Sequence, residues 1–160
     1  MSHPSLGSPP PSRAAGLPGA AARLRTARAR LGARALEVAI ERDPTIRDRY
    51  DELGLRKLLR DTEPMIDRLA YALDYGDADG LAGWADWVVP VYRRKRVPMD
   101  DVINLCEGLR LASASVLAPA ERPAAGVAID NAIKVLLWHR RLAGDARKRN
   151  RLLQFIYKGA

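Results

Sequence analysis

Residues 81–117 read LAGWADWVVPVYRRKRVPMDDVINLCEGLRLASASVL: an apolar segment, a basic elbow at Arg93, Arg94, Lys95 and Arg96, and a second apolar segment at helical spacing. In the second segment Met99, Val102, Ile103, Cys106, Leu109, Val116 and Leu117, with Ser113 between them, recur at i, i+3, i+4 and i+7. That is the stripe of a helix with one buried face. Asp100, Asp101, Asn104, Glu107 and Arg110 fall mainly off the stripe and are expected to meet water. Pro98 suits the first helical position, and the two aspartates after it favour the positive end of the helix dipole, so a helix is expected to start there. In the first segment Leu81, Trp84, Trp87, Val88, Val91 and Tyr92 put both indoles on one broad face behind a capping Asp77. Pro90 is expected to bend or stop this arm before Tyr92, because an internal proline removes one helical hydrogen bond. The two arms together predict a helical hairpin.

Upstream, residues 20–42 carry an apolar strip of Leu24, Leu31, Ala35, Val38 and Ala39, extended by Leu36 and Ile40. One helix is expected there. Asp43-Pro44 then predicts a short helix over 44–52. Gly54 separates it from a further turn at Leu55, Leu58 and Leu59, and Pro64 restarts the chain into an amphipathic helix ending near Tyr75-Gly76. Downstream, Pro119 and Pro123 bracket a loop before a last helix over roughly 123–148. The run Val135, Leu136, Leu137, Trp138 covers most of that helix's circumference, which predicts a central position. No stretch alternates with period two, so the fold class expected is all-α: a single helical bundle, with a globin-like arrangement without haem as one form of it.

A chain of 160 residues, 48% apolar, suffices for one core. Residues 1–19 hold five Pro and three Gly and almost no bulky apolar residue, so they are read as a disordered basic tail. The bundle is expected over 20–146, followed by a basic-aromatic segment over 147–160. The single Cys excludes an internal disulfide and fits a reducing compartment. With no apolar run long enough to span a bilayer and no secretory signal pattern, a cytoplasmic protein is expected.

The net charge of +8 is unevenly distributed. Residues 1–36 carry six Arg and no acid, residues 37–130 thirteen basic and eighteen acidic residues, and residues 131–160 eight basic and one acidic. The body is therefore mildly acidic and both ends are basic, unlike a domain with a basic nucleic-acid-reading face in its core.

No catalytic constellation assembles. His139 is the one imidazole outside the tail; a haem ligand on a helix is one reading, a solvated or core histidine beside Arg140 and Arg141 the other. Cys106 lies on a buried stripe and is expected to act as a small hydrophobe. The pairs Asp77/Asp79 and Asp100/Asp101 are explained by helix starts, and no Gly-rich phosphate loop or nucleophile elbow is present. An enzyme is not expected, nor any cofactor or metal. Three binding features remain. The elbow Arg93–Arg96 suits phosphate or an acidic partner. Trp84 and Trp87 beside Pro90, with Cys106, outline a candidate pocket for a small ligand. Arg147, Lys148, Arg149 and Arg151, followed by Leu152, Leu153, Phe155, Ile156 and Tyr157, form a segment that either closes the core or docks on a partner groove or an anionic membrane surface.

The run Tyr92–Arg110, YRRKRVPMDDVINLCEGLR, resembles the amino-terminal sensory domain of the bacterial RsbR-type stressosome co-antagonists. The likeness extends in element order over about residues 35–145. It implies an all-helical, globin-like or bundle fold without haem, often dimeric, that signals through protein contacts. Such domains usually precede an effector domain, whereas a basic-aromatic segment follows here. The function expected is thus that of a non-enzymatic regulatory or adaptor protein, docking through its carboxyl-terminal segment on another protein with an acidic surface or on a second copy of itself. The rivals are a nucleic-acid binder using both basic ends and a small-ligand sensor with a pocket near Trp84 and Trp87.

Overall fold

A computed structural model describes residues 15–143, which form seven α-helices and, among those residues, no strand. They are α1 (Pro18–Thr26), α2 (Arg28–Arg42), α3 (Ile46–Arg49), α4 (Glu52–Tyr75), α5 (Gly80–Arg94), α6 (Met99–Ser113) and α7 (Arg122–Ala143). The expected all-α bundle is the observed class. Among these helices none is long and apolar enough to cross a membrane.

The helices α4, α5, α7, α6 and α2 pack in that order into a closed ring, with α1 laid on α4. Side-chain pairings fix the directions. Thr62 meets Gly32 and Arg28 pairs with Asp67 at 3.0 Å, so α2 and α4 are antiparallel. Arg140 pairs with Asp100 and Arg110 with Asp130, both at 2.5 Å, so α6 and α7 are also antiparallel. Asn131 bonds Asp79 at 3.0 Å and His139 bonds Asp86 at 2.8 Å, so α7 runs parallel to α5.

This arrangement corrects the expected hairpin. α5 and α6 are joined by the elbow, yet they pack chiefly on α7 and on α4 and α2 respectively, with α7 seated between them. The predicted central position of α7 is corrected too: it packs on α5, α6 and α4 but leaves Val127, Trp138 and Leu142 exposed, and among its described side chains Ala125, Ala128, Ile129, Ala132 and Leu136 are the buried ones. The hub is α4, which packs on α1, α2, α5 and α7.

Neither interior proline ends its helix. Pro64 lies inside α4 and Pro90 inside α5. Both are exposed, as are Arg60 and Asp86 four residues earlier, so the carbonyl that loses its partner lies on a wet flank. The buried stripes continue through both: Leu58, Thr62, Met65, Ile66, Leu69 and Leu73 in α4; Leu81, Trp84, Ala85, Val88, Val89 and Tyr92 in α5. Gly54, expected as a break, falls in the first turn of α4, where its N–H donates to the capping Asp51 carboxylate at 2.7 Å. Conversely, the helix expected over 20–42 is broken at Ala27, where the chain passes from α1, packed on α4, to α2, packed on α6 and α4. The short helix expected over 44–52 is one turn, Ile46–Arg49.

Two close approaches hold α2 in place. A Cβ on Gly108 would stand 2.1 Å from the Ala35 carbonyl oxygen, and one on Gly32 would stand 2.3 Å from Thr62 Oγ1. The α6 stripe is broader than its spacing implied. Asp101, expected in water, is 0% exposed; its carboxylate accepts from Arg49 Nη2 at 2.5 Å and Tyr50 Oη at 2.8 Å, fastening α3 to the start of α6. Leu105 is buried as well.

Candidate functional site

The elbow is a helix terminus locked by backbone geometry. The Val97 N–H donates to the Tyr92 carbonyl at 2.9 Å and the Arg96 N–H to the Arg93 carbonyl at 3.0 Å, with Arg96 left-handed at φ 58°. The same closure ends α4, where Asp77 bonds Ala72 at 2.9 Å around Gly76 at φ 64°. Glycine takes that conformation freely; an arginine there carries a steric cost of roughly 1 kcal/mol or more. Below the turn Val97, Pro98 and Met99 are buried, while Arg93, Arg94, Lys95 and Arg96 all face water.

The end of α7 arrives at the same pole. Arg93 Nη2 donates to the His139 carbonyl at 2.9 Å and Arg140 reaches Asp100 at the start of α6. Arg141 beyond them is exposed. The expected contact residues Arg147, Lys148, Arg149, Arg151, Phe155 and Tyr157 lie outside the described residues. Arg147 follows Ala143 by four positions, at most about 14 Å of extended chain.

A second feature lies between α4 and α5: a groove of about 690 Å³ lined by Pro64, Arg68, Tyr71, Trp84 and Trp87, with Asp77, Asp79, Gly80 and Gly83 along the α5 side. Trp87 is 70% exposed, and Tyr71 stacks at 4.6 Å against the exposed Tyr75. Both tryptophans border this groove, Trp84 as a buried core residue and Trp87 on its open side. Cys106, expected beside them, does not: it is fully buried and packs its sulfur against that of Met65 at 3.9 Å. The cause is the route of α6, which leaves α5 instead of folding back on it. Burial pushes the Cys106 thiol up to about 12, which suits a structural residue and not a nucleophile. Burial likewise raises the Tyr92 hydroxyl, reinforced by the nearby Asp61.

His139 is largely covered between α5 and α7, with Nε2, the atom a haem iron would take, bonded to the exposed Asp86. Of the carboxylates considered, Asp100 is paired with Arg140, Asp101 with Arg49, Asp79 accepts from Asn131, and Asp77 accepts from the Asp79 N–H at 3.1 Å. Sequence reasoning missed the α4 wall of the groove. Its signal was present as Pro64, Arg68, Tyr71 and Tyr75 at i, i+4, i+7 and i+11, a second stripe opposite the buried one.

No known family model matches this chain, and no curated protein is significantly similar to it.

Proposed function

We propose that this protein is a non-enzymatic regulatory or adaptor protein that docks an acidic protein surface at one basic pole of its bundle. The observation that carries the reading is the parallel course of α5 and α7. It brings the end of α7 to the elbow through the Arg93–His139 and Arg140–Asp100 contacts, so Arg140 and Arg141 join Arg93–Arg96 at one end of the described bundle. Arginine-rich clusters suit carboxylate recognition, because the guanidinium fork pairs two oxygens at once. An arginine at a left-handed position where glycine costs less also suits a residue kept for contact. The protein-contact signalling implied by the resemblance to RsbR-type sensory domains agrees with this reading.

The test is capture from source cytosol by the full chain, by the elbow variant R94E/K95E/R96E, and by a chain ending at Ala146, each in low and moderate salt. An acidic protein held by the full chain and lost from both variants supports the proposal. Equal recovery by all three contradicts it, and recovery of nucleic acid in its place, with affinity falling steeply with salt, favours the nucleic-acid rival.

A further inference from the structure

We propose that the outer face of the α5–α7 pair rests on an anionic lipid surface, with Trp87, Trp138 and Leu142 entering the headgroup layer. Three observations carry this inference.

The first is a second stripe on each helix. The apolar residues of α7 cover most of its circumference, a pattern that suits a helix covered on every side. Its inner stripe is buried, but Val127, Lys134, Trp138, Arg141 and Leu142 recur at i, i+7, i+11, i+14 and i+15 and are all exposed. On α5, Gly83, Trp87, Pro90 and Arg94 recur at i, i+4, i+7 and i+11 and are exposed as well. Trp87, Trp138 and Leu142 are 70%, 54% and 55% exposed, so the largest apolar groups of both stripes lie mostly in water.

The second is alignment. The two helices run parallel, and the Asp86–His139 bond at 2.8 Å fixes their register. Trp87 follows Asp86 and Trp138 precedes His139, so their backbones differ in height by only about 3 Å. The stripes therefore form one convex ridge, with Trp87 at its α4 edge and Trp138 packed edge-on against His139. A convex ridge offers no groove for an inserted helix or peptide, whereas lipid headgroups close round separate indoles. Tryptophan is favoured at that level because its ring is apolar and its N–H polar.

The third is charge. Arg94, Lys134 and Arg141 stand on the same ridge and form no ion pair among the described residues. The acids beside it are already engaged: Asp79 by Asn131, Asp86 by His139 and Asp130 by Arg110. A second copy on a two-fold axis would set these cations against their own like. Anionic lipid accommodates all of them, and the attraction adds to apolar insertion. The pair lies on the surface; none of the described helices is long and apolar enough to cross it.

The test sediments the full chain with vesicles of phosphatidylcholine alone, or with phosphatidylserine added, and reads quenching of tryptophan emission by lipids brominated on their acyl chains. The expected result is binding to the phosphatidylserine vesicles alone, weakening as salt rises, with quenching. W87S/W138S/L142S should bind at least about tenfold more weakly, and a urea midpoint near the parent's shows that it folds. K134E/R141E should weaken binding most at low salt. In W87F/W138F binding should persist and quenching disappear, because Trp84 is buried. Failure to bind, equal binding to phosphatidylcholine, or binding undiminished by the triple substitution would each overturn the proposal. So would a vesicle-free dimer that the triple substitution dissolves, which would make the cover a second copy.

Discussion

Two glycines and one cysteine make opposite demands on their surroundings. Gly108 has the Ala35 backbone where a Cβ would go, so Gly108→Ala must push α2 from α6 and is expected to cost about 2 kcal/mol or more in urea denaturation. Gly83, with open space around it in the first turn of α5, gives the contrasting case: Gly83→Ala is expected to stabilise by about 0.5 kcal/mol. Cys106 links stability to pH. Its folded pKa is raised to about 12, above an unfolded value near 8.5. The folded chain therefore keeps a proton that the unfolded chain has released. The contribution is complete below about pH 8.5 and is lost as pH rises toward 12, by up to about 1.4 kcal/mol per pH unit. Denaturation of the parent and of Cys106→Ala at about pH 8 and about pH 10 should show the parent losing more stability over that interval; the Tyr92 hydroxyl is raised chiefly by its own burial, which both chains share.

The elements were legible wherever one stripe decided them. Met99, Val102, Cys106 and Leu109 are buried along α6 as their spacing predicts, and Pro98 stands one residue ahead of that helix. Local punctuation was the weaker guide. Pro64 and Pro90 signal helix breaks in isolation, but each falls on an exposed flank of a helix whose buried face continues unbroken, and packing outweighs one lost hydrogen bond. Asp101 reads as a solvated helix-start carboxylate because its partners, Arg49 and Tyr50, lie about fifty positions away in sequence. The elbow gives the element-scale prediction. Arg96→Gly relieves the left-handed strain and is expected to raise stability by about 0.5–1 kcal/mol, read as an increase in the urea midpoint. The same substitution should weaken retention of an acidic partner, because it removes one of four adjacent exposed cations.

At the scale of the whole molecule the ring order explains why the candidate site was only half legible. Spacing identified the basic elbow and the tryptophan pair, but no local pattern states that α7 separates α5 from α6. That insertion takes Cys106 away from the tryptophans, and it carries the end of α7 to the elbow. Trp84 and Trp87 consequently face α4, whose outward stripe of Pro64, Arg68 and Tyr71 completes a groove. The basic pole and the aromatic groove are thereby separate surfaces, one formed at the α5–α6 turn and the other between α4 and α5. The most direct measurement on the central claim is a double-variant cycle on the acidic protein recovered by capture. Its affinity would be titrated at two salt concentrations for the full chain, the elbow variant R94E/K95E/R96E, the chain ending at Ala146, and the two changes combined. The account predicts that each change alone weakens binding and flattens its salt dependence, with the combined chain weakest. Undiminished affinity after either single change would contradict a shared basic pole.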